Sequence, residues 1–271
     1  MKLGIQEEFN TGFSYLEGTL VEKFGKLEEL GFKGIEIWGW NIHERLPELK
    51  SAFSTSKIKC STLCGGYDGD LLGEDRSARE LAIKEIKERL EVCADLSCIG
   101  QITIDRSMDF SIPAVPRIKD LWPWQPNVPE ICKKILIEEY KILGKYAEDV
   151  GTFVIVEPII RHYTDFLNRL EQAVEICAET GSENVKVMAD FYHMNTEEAS
   201  IPESLEKATD YLVHMHLKDT NAQLPGRGHM NFEEGLEVLR KKKYQNYLTL
   251  ECDVPSETAL VESVKYLKKL I

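Results

Sequence analysis

Short runs of apolar, mainly β-branched residues recur along the chain, and longer segments with helical spacing of apolar residues separate them. Within one of these segments Ala82, Ile86, Leu90 and Cys93 repeat every three or four residues, which predicts an amphipathic helix. The short runs predict eight strands: Lys2–Ile5, Gly34–Ile37, Ile58–Leu63, Ile99–Ile104, Thr152–Val156, Val185–Ala189, Leu212–His216 and Leu248–Glu251. The predicted helices are Leu20–Leu30, Glu44–Phe53, Ser77–Asp95, Pro129–Asp149, Asp165–Thr180, Pro202–Ala208, Phe232–Lys242 and Pro255–Leu270.

This alternation predicts parallel strands joined by crossover helices, because parallel neighbours need a long connection. Eight such units in 271 residues fit an α/β fold of the (β/α)8 TIM-barrel type, with residues 1–271 as a single domain. No Gly-x-Gly-x-x-Gly follows the first strand, which argues against a nucleotide-binding open sheet. The long irregular stretch Arg106–Asn127 follows strand four, carries Trp122 and Trp124, and is predicted to be a lid-like insertion over the barrel mouth.

Composition narrows the class of protein. The apolar content of 43% is enough for a sizeable core, and the net charge of -13 argues against nucleic-acid or anionic-membrane partners, which need clustered Lys and Arg. No run approaches the roughly 20 apolar residues that span a bilayer, and the first residues lack a signal-peptide pattern, so we expect a cytoplasmic protein. The seven cysteines form no Cys-x-x-Cys pair, which indicates reduced, packed thiols.

A polar residue stands at the carboxyl end of each of four consecutive predicted strands. Strands five to eight end at Glu157, Asp190, His216 and Glu251. The carboxyl ends of barrel strands share one rim, and three carboxylates placed together demand a cation. Three oxygen donors and one imidazole suit one divalent metal ion, Mn2+, Mg2+ or Co2+, with Zn2+ also compatible.

Each residue alone has a simpler interpretation. Asp190 could cap the next helix, and Glu251 could pair with Lys218. His214 and His216 point to the same side of their strand, and we predict His216 as the ligand because it is nearer the rim.

Four motifs then resemble a known family. The chain resembles the xylose-isomerase-like TIM barrels, within the AP endonuclease 2 superfamily, in the segments "VEPIIRHYTDFLNRLEQAVEICAETGSENVKVMADFYHMNTEE", "HMHLKDTN", "PGRGHMNF" and "LTLECD". Within that family it most resembles the sugar isomerases and epimerases of the D-tagatose 3-epimerase kind. A fainter likeness upstream involves "LGFKGIEIWG" and "CGGYDGDLLGED". The resemblance implies the same four metal ligands, a small-molecule sugar or polyol substrate, and a homodimer, which is typical of similar barrels.

The resemblance also implies roles in catalysis. Glu157 and Glu251 would move the proton next to a carbonyl through an enediolate, and His193 would bind a substrate oxygen. The function predicted is therefore that of a metal-dependent isomerase or epimerase of a ketose or sugar phosphate. Further substrate-binding candidates, beside the aromatic residue Tyr192, are Arg161, Lys218, Trp38, Tyr67 and Arg227.

One departure from the family pattern bears on the substrate. Similar epimerases carry an arginine shortly after the strand-seven histidine, whereas this chain has Asn221 and Ala222 there. This disfavours a free ketohexose and leaves open a dehydratase acting on an inosose-type keto-polyol, since "HLKD" also resembles inosose dehydratases. An apurinic-site endonuclease is disfavoured because Gly226 and Gly228 stand where its further ligands are expected. A non-enzymatic binding barrel is the remaining alternative.

Overall fold

The computed structural model describes residues 1–9, 12–73, 75–105, 128–164 and 166–271. Eight parallel strands pair in chain order, and β1 pairs with β8, so that the sheet closes into a barrel. This confirms the predicted (β/α)8 fold class, while the extent of the domain over 1–271 stays a prediction. The strands are β1 Lys2–Gln6, β2 Gly34–Trp38, β3 Lys59–Cys64, β4 Gly100–Ile104, β5 Phe153–Glu157, β6 Val185–Asp190, β7 Leu212–Leu217 and β8 Tyr247–Leu250.

Helices connect successive strands and cover the barrel. They are α1 Leu20–Leu30, α2 Ile42–Thr55, α3 Arg76–Leu96, α4 Val128–Val150, α5 Leu170–Thr180, α6 Phe191–Glu197, α7 Ile201–Ala208, α8 Phe232–Lys241 and α9 Glu257–Leu267. The helix α6 was not predicted, and α5 begins at Leu170 instead of Asp165. The predicted lid, Arg106–Asn127 with Trp122 and Trp124, lies outside the described residues.

Two apolar clusters fill the molecule. The larger one packs the outward side chains of the strands against the helices. The smaller one consists of Cys64, Ile102, Ile155 and Met188, contributed by four neighbouring strands, and lies inside the barrel. All seven cysteines are free thiols, as the sequence predicted. In the described part of the chain, no helix combines the length and apolar composition that a membrane span requires.

A buried carboxyl group follows strand β4 and faces the helix layer. Asp105 is 1% exposed, and the hydroxyl of Tyr140 on α4 donates a hydrogen bond to its Oδ2. Burial raises the pKa of Asp105 from its ordinary value of 3.8 to about 7, and the hydrogen bond from Tyr140 opposes this rise. The folded protein thus retains a proton here that the unfolded chain has released.

We expect this group to make stability fall as pH rises. The folded-state pKa lies above the unfolded value, so its contribution is present below about pH 4 and is lost as pH rises to about 7. Between pH 5 and pH 8 the loss amounts to about 2 to 3 kcal/mol. The variant Asp105→Asn keeps an acceptor for Tyr140 but cannot ionise, so urea unfolding should show a smaller decline over that range. Parallel stability curves for the two proteins would contradict this expectation.

Candidate functional site

The four predicted ligands lie on the rim formed by the carboxyl ends of the strands. Glu157 and Asp190 are the last residues of β5 and β6, His216 is the last but one of β7, and Glu251 directly follows β8. The first three are almost completely buried, whereas the side chain of Glu251 is 15% exposed. Adjacent parallel strands bring together residues from distant parts of the sequence.

Their polar atoms converge on one small volume. Nδ1 of His216 lies 3.7 Å from Oε1 of Glu157 and 3.7 Å from Oε2 of Glu251. Ligand atoms of Asp190, His216 and Glu251 lie within 4.8 Å of one another, and so do those of Glu157, Asp190 and His193. The structure therefore brings all four predicted ligands together and adds His193 beside them.

Several of these atoms are buried without a hydrogen-bond partner in the described part of the chain. They are Oε2 of Glu157, Oδ2 of Asp190 and Nδ1 of His216. Buried oxygen and nitrogen atoms normally have a partner, because leaving water without one costs free energy. Carboxylate oxygens with one imidazole nitrogen form a donor set that suits a divalent cation, so the residues present fit such an ion.

The simpler roles considered for two of these acids also occur. Oδ1 of Asp190 accepts a hydrogen bond of 2.8 Å from the backbone N–H of Tyr192 and caps α6. Because the cap uses Oδ1, Oδ2 stays directed at the rim. Lys218 donates a hydrogen bond to Oε2 of Glu251, and its Nζ lies 5.4 Å from the ring centroid of Tyr192.

The charges of the site shift several pKa values. Burial raises the pKa of Glu157, and the attraction of the nearby His216 ring partly opposes the rise. Burial lowers the pKa of His216, but the negative charges of Glu36 and Glu251 outweigh it, and the net pKa is well above the usual value. Burial likewise lowers the pKa of Lys218, but the negative charges of Glu251 and Asp190 outweigh it, and the net pKa is raised. The rim is thus strongly attractive to positive charge.

Among the predicted substrate-binding residues, His193 lies beside two of the ligands. Its Nε2 is 3.6 Å from Oδ2 of Asp190 and 3.8 Å from Oε1 of Glu157. Its Nδ1 lies 3.4 Å from the backbone nitrogen of Ile160 and accepts the hydrogen of that nitrogen. The acceptor role of Nδ1 assigns the proton to Nε2, which can donate toward an oxygen atom above the rim.

Trp38 is the last residue of β2, and Tyr67 lies in the loop that follows β3. Trp38 packs at the edge of the cluster inside the barrel, and its Nε1 donates a 2.9 Å hydrogen bond to the backbone oxygen of Glu7. The Tyr67 hydroxyl donates to the backbone oxygen of Ile104 at 3.4 Å. Both side chains are held at the rim by backbone contacts, and their substrate-binding roles stay predictions.

The two arginines named from the sequence pair with glutamates outside the group of ligands. Arg161 is 64% exposed and contacts Glu197 at 2.7 Å, and Arg227 contacts Glu262 at 2.8 Å. In the loop where the family arginine is absent, Asn221 donates a hydrogen bond to the backbone oxygen of Arg227. Roles for these arginines in substrate binding stay predictions.

Sequence reasoning did not identify Glu36 as part of the site. This carboxylate of β2 is fully buried and contacts both His214 and His216. The only local signal is an acid in the centre of an apolar strand, "GIEIW". His214 lies one layer below His216, and its Nε2 is 2.8 Å from Oε2 of Glu36.

Comparisons with known proteins agree with the barrel fold. The family model described as xylose isomerase-like TIM barrel matches residues 24–270. The chain is 30% identical over 258 residues to a 3-dehydro-D-guloside 4-epimerase of Escherichia coli (strain K12), covering 95% of this chain and 94% of that protein. It is 26% identical to a D-psicose 3-epimerase of Agrobacterium fabrum, covering 95% and 89% of the two chains. The apo crystal structure of a 3-keto-D-glucoside 4-epimerase from E. coli superposes with a TM-score of 0.86 at 28% identity over 99% of each chain.

Proposed function

This chain belongs to the xylose isomerase-like TIM barrel family, and we propose that it is a divalent-metal-dependent epimerase of a keto sugar. Like the related proteins, it is an enzyme of the isomerase and epimerase class. The observation that carries the proposal is the convergence of Glu157, Asp190, His216 and Glu251 with buried atoms that lack a hydrogen-bond partner among the described residues.

These four residues would hold the ion. A bound divalent cation supplies the positive charge that polarises a carbonyl and stabilises negative charge on neighbouring substrate oxygens. Mn2+, Mg2+, Co2+ and Zn2+ all accept a set of three carboxylates and one imidazole, and Mn2+ is our first choice.

Glu157 and Glu251 act as the acid–base pair in the proposed reaction. Their strands, β5 and β8, are separated by two others on the rim, so the carboxylates can approach a substrate from different sides. One carboxylate removes the proton from the carbon next to the carbonyl, and the other, in its protonated form, returns a proton to the opposite face. Burial raises the pKa of Glu157, which makes its carboxylate a stronger proton acceptor than that of an exposed glutamate.

His193 and Lys218 bind substrate oxygens in this proposal. His193 donates from Nε2, which faces Asp190 and Glu157. Lys218 has a partly buried ammonium group next to Glu251 and can donate to a hydroxyl oxygen as well as to the carboxylate. Trp38 ends β2 and Tyr67 follows β3 on the same rim, and Arg161 and Arg227 are more distant candidates, because both pair with glutamates.

A keto-glycoside is the substrate class that we favour. The relative that matches 95% of this chain at 30% identity is named for epimerisation of a 3-dehydro-guloside at carbon 4. The chain also has Asn221 and Ala222 in place of the arginine expected in epimerases of free ketohexoses. A keto-glycoside has its carbonyl next to the inverted carbon, as in the substrate for which that relative is named. It is also not a free ketohexose, which agrees with the missing arginine.

We expect purified protein with Mn2+ to epimerise a 3-keto glycoside at carbon 4 in deuterated water and to place one deuterium at that carbon. A parallel reaction with a free ketohexose should be much slower. Proton NMR gives both the stereochemistry and the isotope content. Elemental analysis of the same sample measures the bound ion.

Other outcomes identify the alternatives. Growth of an enone-type absorbance with an inosose would indicate a dehydratase, which shares proton removal but then expels water. A protein that exchanges no proton in any of these substrates, with the ion bound, would contradict the proposed function. The expected cytoplasmic location, homodimer and lack of a nucleic-acid partner stay predictions from the sequence.

A further inference from the structure

The buried carboxylate of Glu36 lies inside the barrel, beneath the rim. Glu36 of β2 is 0% exposed, and its Oε1 and Oε2 lie 3.0 and 3.1 Å from Nε2 of His216 on β7, across the interior of the barrel. Gln6 donates to Oε1 at 2.6 Å, and Thr62 donates to Oε2 at 2.5 Å. Nε2 of His214 lies 2.8 Å from Oε2.

Burying the ionised side chain of Glu36 costs free energy, so its presence needs a physical explanation. A carboxylate without access to water loses its hydration, and only close donors compensate for that loss. Glu36 has donors from β1 and β3 as well as the two histidines of β7. An apolar side chain at this position would pack in the barrel without that requirement.

The two ring nitrogens of His216 face different surroundings. Nε2 points down to Glu36, and Nδ1 points up to Glu157 and Glu251. A carboxylate accepts but does not donate, so when the ring is in the neutral form that binds an ion, Nε2 must carry its proton. Nδ1 then presents its lone pair to the rim, where it has no hydrogen-bond partner among the described residues.

We propose that Glu36 is a positioning residue that fixes the tautomer and ring orientation of His216 across the barrel and thereby sets the affinity of the rim for a divalent cation. The inference rests on the proposed function, since it concerns the same ion. Glu36 does not touch the ion or the substrate. It acts because a ligand imidazole that donates its other N–H to a carboxylate is both oriented and more basic.

The test measures Mn2+ binding alone, by calorimetric titration of the whole chain. The variant Glu36→Gln should bind Mn2+ about 10- to 100-fold more weakly than wild type, the usual loss when such a partner is removed. The matched control is Thr62→Val, which removes another hydrogen bond from the same buried carboxylate and leaves its contact with His216. The control should change the Mn2+ affinity by less than about threefold, because the ligand imidazole keeps its partner.

A coupling measurement separates positioning from a general loss of packing. In a His216→Asn background, adding Glu36→Gln should cause little further loss of Mn2+ affinity, because the residue through which Glu36 acts is gone. The Co2+ absorption spectrum of Glu36→Gln should also differ from wild type, while that of Thr62→Val should not. Equal losses in Glu36→Gln and Thr62→Val would overturn the inference.

A measurement on wild-type protein avoids dependence on how the variant folds. With 15N-labelled histidine and Mg2+ bound, NMR should find the proton of His216 on Nε2, and a proton on Nδ1 would overturn the inference. If wild type binds no divalent ion, the proposed function itself fails. If wild type binds Mn2+ and Glu36→Gln binds it equally well, only the role of Glu36 is refuted.

Discussion

Replacing either Glu157 or Glu251 by glutamine is expected to lower kcat for epimerisation by about 10²- to 10⁴-fold, the range typical of general acid–base catalysis. Glutamine nearly preserves the shape of glutamate, and its amide oxygen can still face a cation. It cannot take up and release a carbon-bound proton. The loss should therefore appear in kcat, with KM changed much less.

The two single variants should differ from each other in a specific way. If each glutamate serves one face of the substrate, each variant retains exchange of the carbon-bound proton in one epimer and loses it in the other. In deuterated water, Glu157→Gln and Glu251→Gln should then show opposite preferences between the two epimers. The double variant should exchange neither.

Asp105→Asn is the matched control for these substitutions. It makes the same chemical change in another buried acid at a strand end, but its carboxyl faces Tyr140 on α4, away from the ligands. Its kcat should stay within a few fold of wild type. Substantial epimerisation by the double variant of Glu157 and Glu251 would show that other groups move the proton.

The residues of the rim could be predicted from the sequence, because the barrel topology places the carboxyl ends of all strands on the same side. Once alternating strands and helices indicate a parallel barrel, the residue that closes each strand must lie on one rim. Glu157, Asp190 and His216 were found this way although up to 59 residues separate them, from 157 to 216. The prediction needed no side-chain contact, only the end of each apolar run.

What the sequence could not supply were contacts across the barrel and between loops. Glu36 lies 180 residues from His216 and carries no local signal beyond its burial within "GIEIW". The pairing of Arg161 with Glu197 joins two loops that share no pattern. Such pairs depend on the three-dimensional packing of strands and loops, which single-sequence periodicity does not encode.

Short elements were also missed for a physical reason. The helix α6 has only seven residues, and it follows strand β6 without a connecting loop. Two turns are too few to show a helical period, so "FYHMNTE" resembles a loop in sequence. Its start is specified by the N-cap Asp190, which sequence reasoning considered as an alternative to metal binding. In the structure Oδ1 caps α6, and Oδ2 has no hydrogen-bond partner among the described residues, so the two roles need not compete.

The second large effect is expected from loss of the ion, and Asp190, with one oxygen on the helix cap and the other free for the ion, allows a test of it. Removal of the ion by exhaustive chelation should lower wild-type activity by more than about 10³-fold, because the ion stabilises the developing negative charge and holds both ligand glutamates in place. Added Mn2+ or Co2+ should restore the activity. Asp190→Asn should reproduce the chelated state even with Mn2+ present. Its amide replaces Oδ2 by a donor nitrogen where a ligand oxygen is required, while Oδ1 can still cap α6.

The thermal stability of this variant separates the two roles of Asp190. Because the cap survives, the Tm of metal-free Asp190→Asn should match that of metal-free wild type, or exceed it, since one of three mutually repelling carboxylates is neutralised. Wild type at a Mn2+ concentration of 100 times its Kd should gain about 2.7 kcal/mol of stability, and the variant should gain almost none. A large drop in the metal-free Tm would mean that the substitution disturbs the cap. Full activity of chelated wild type would contradict the metal dependence itself, because the three carboxylates would then sit together for a reason other than binding a cation.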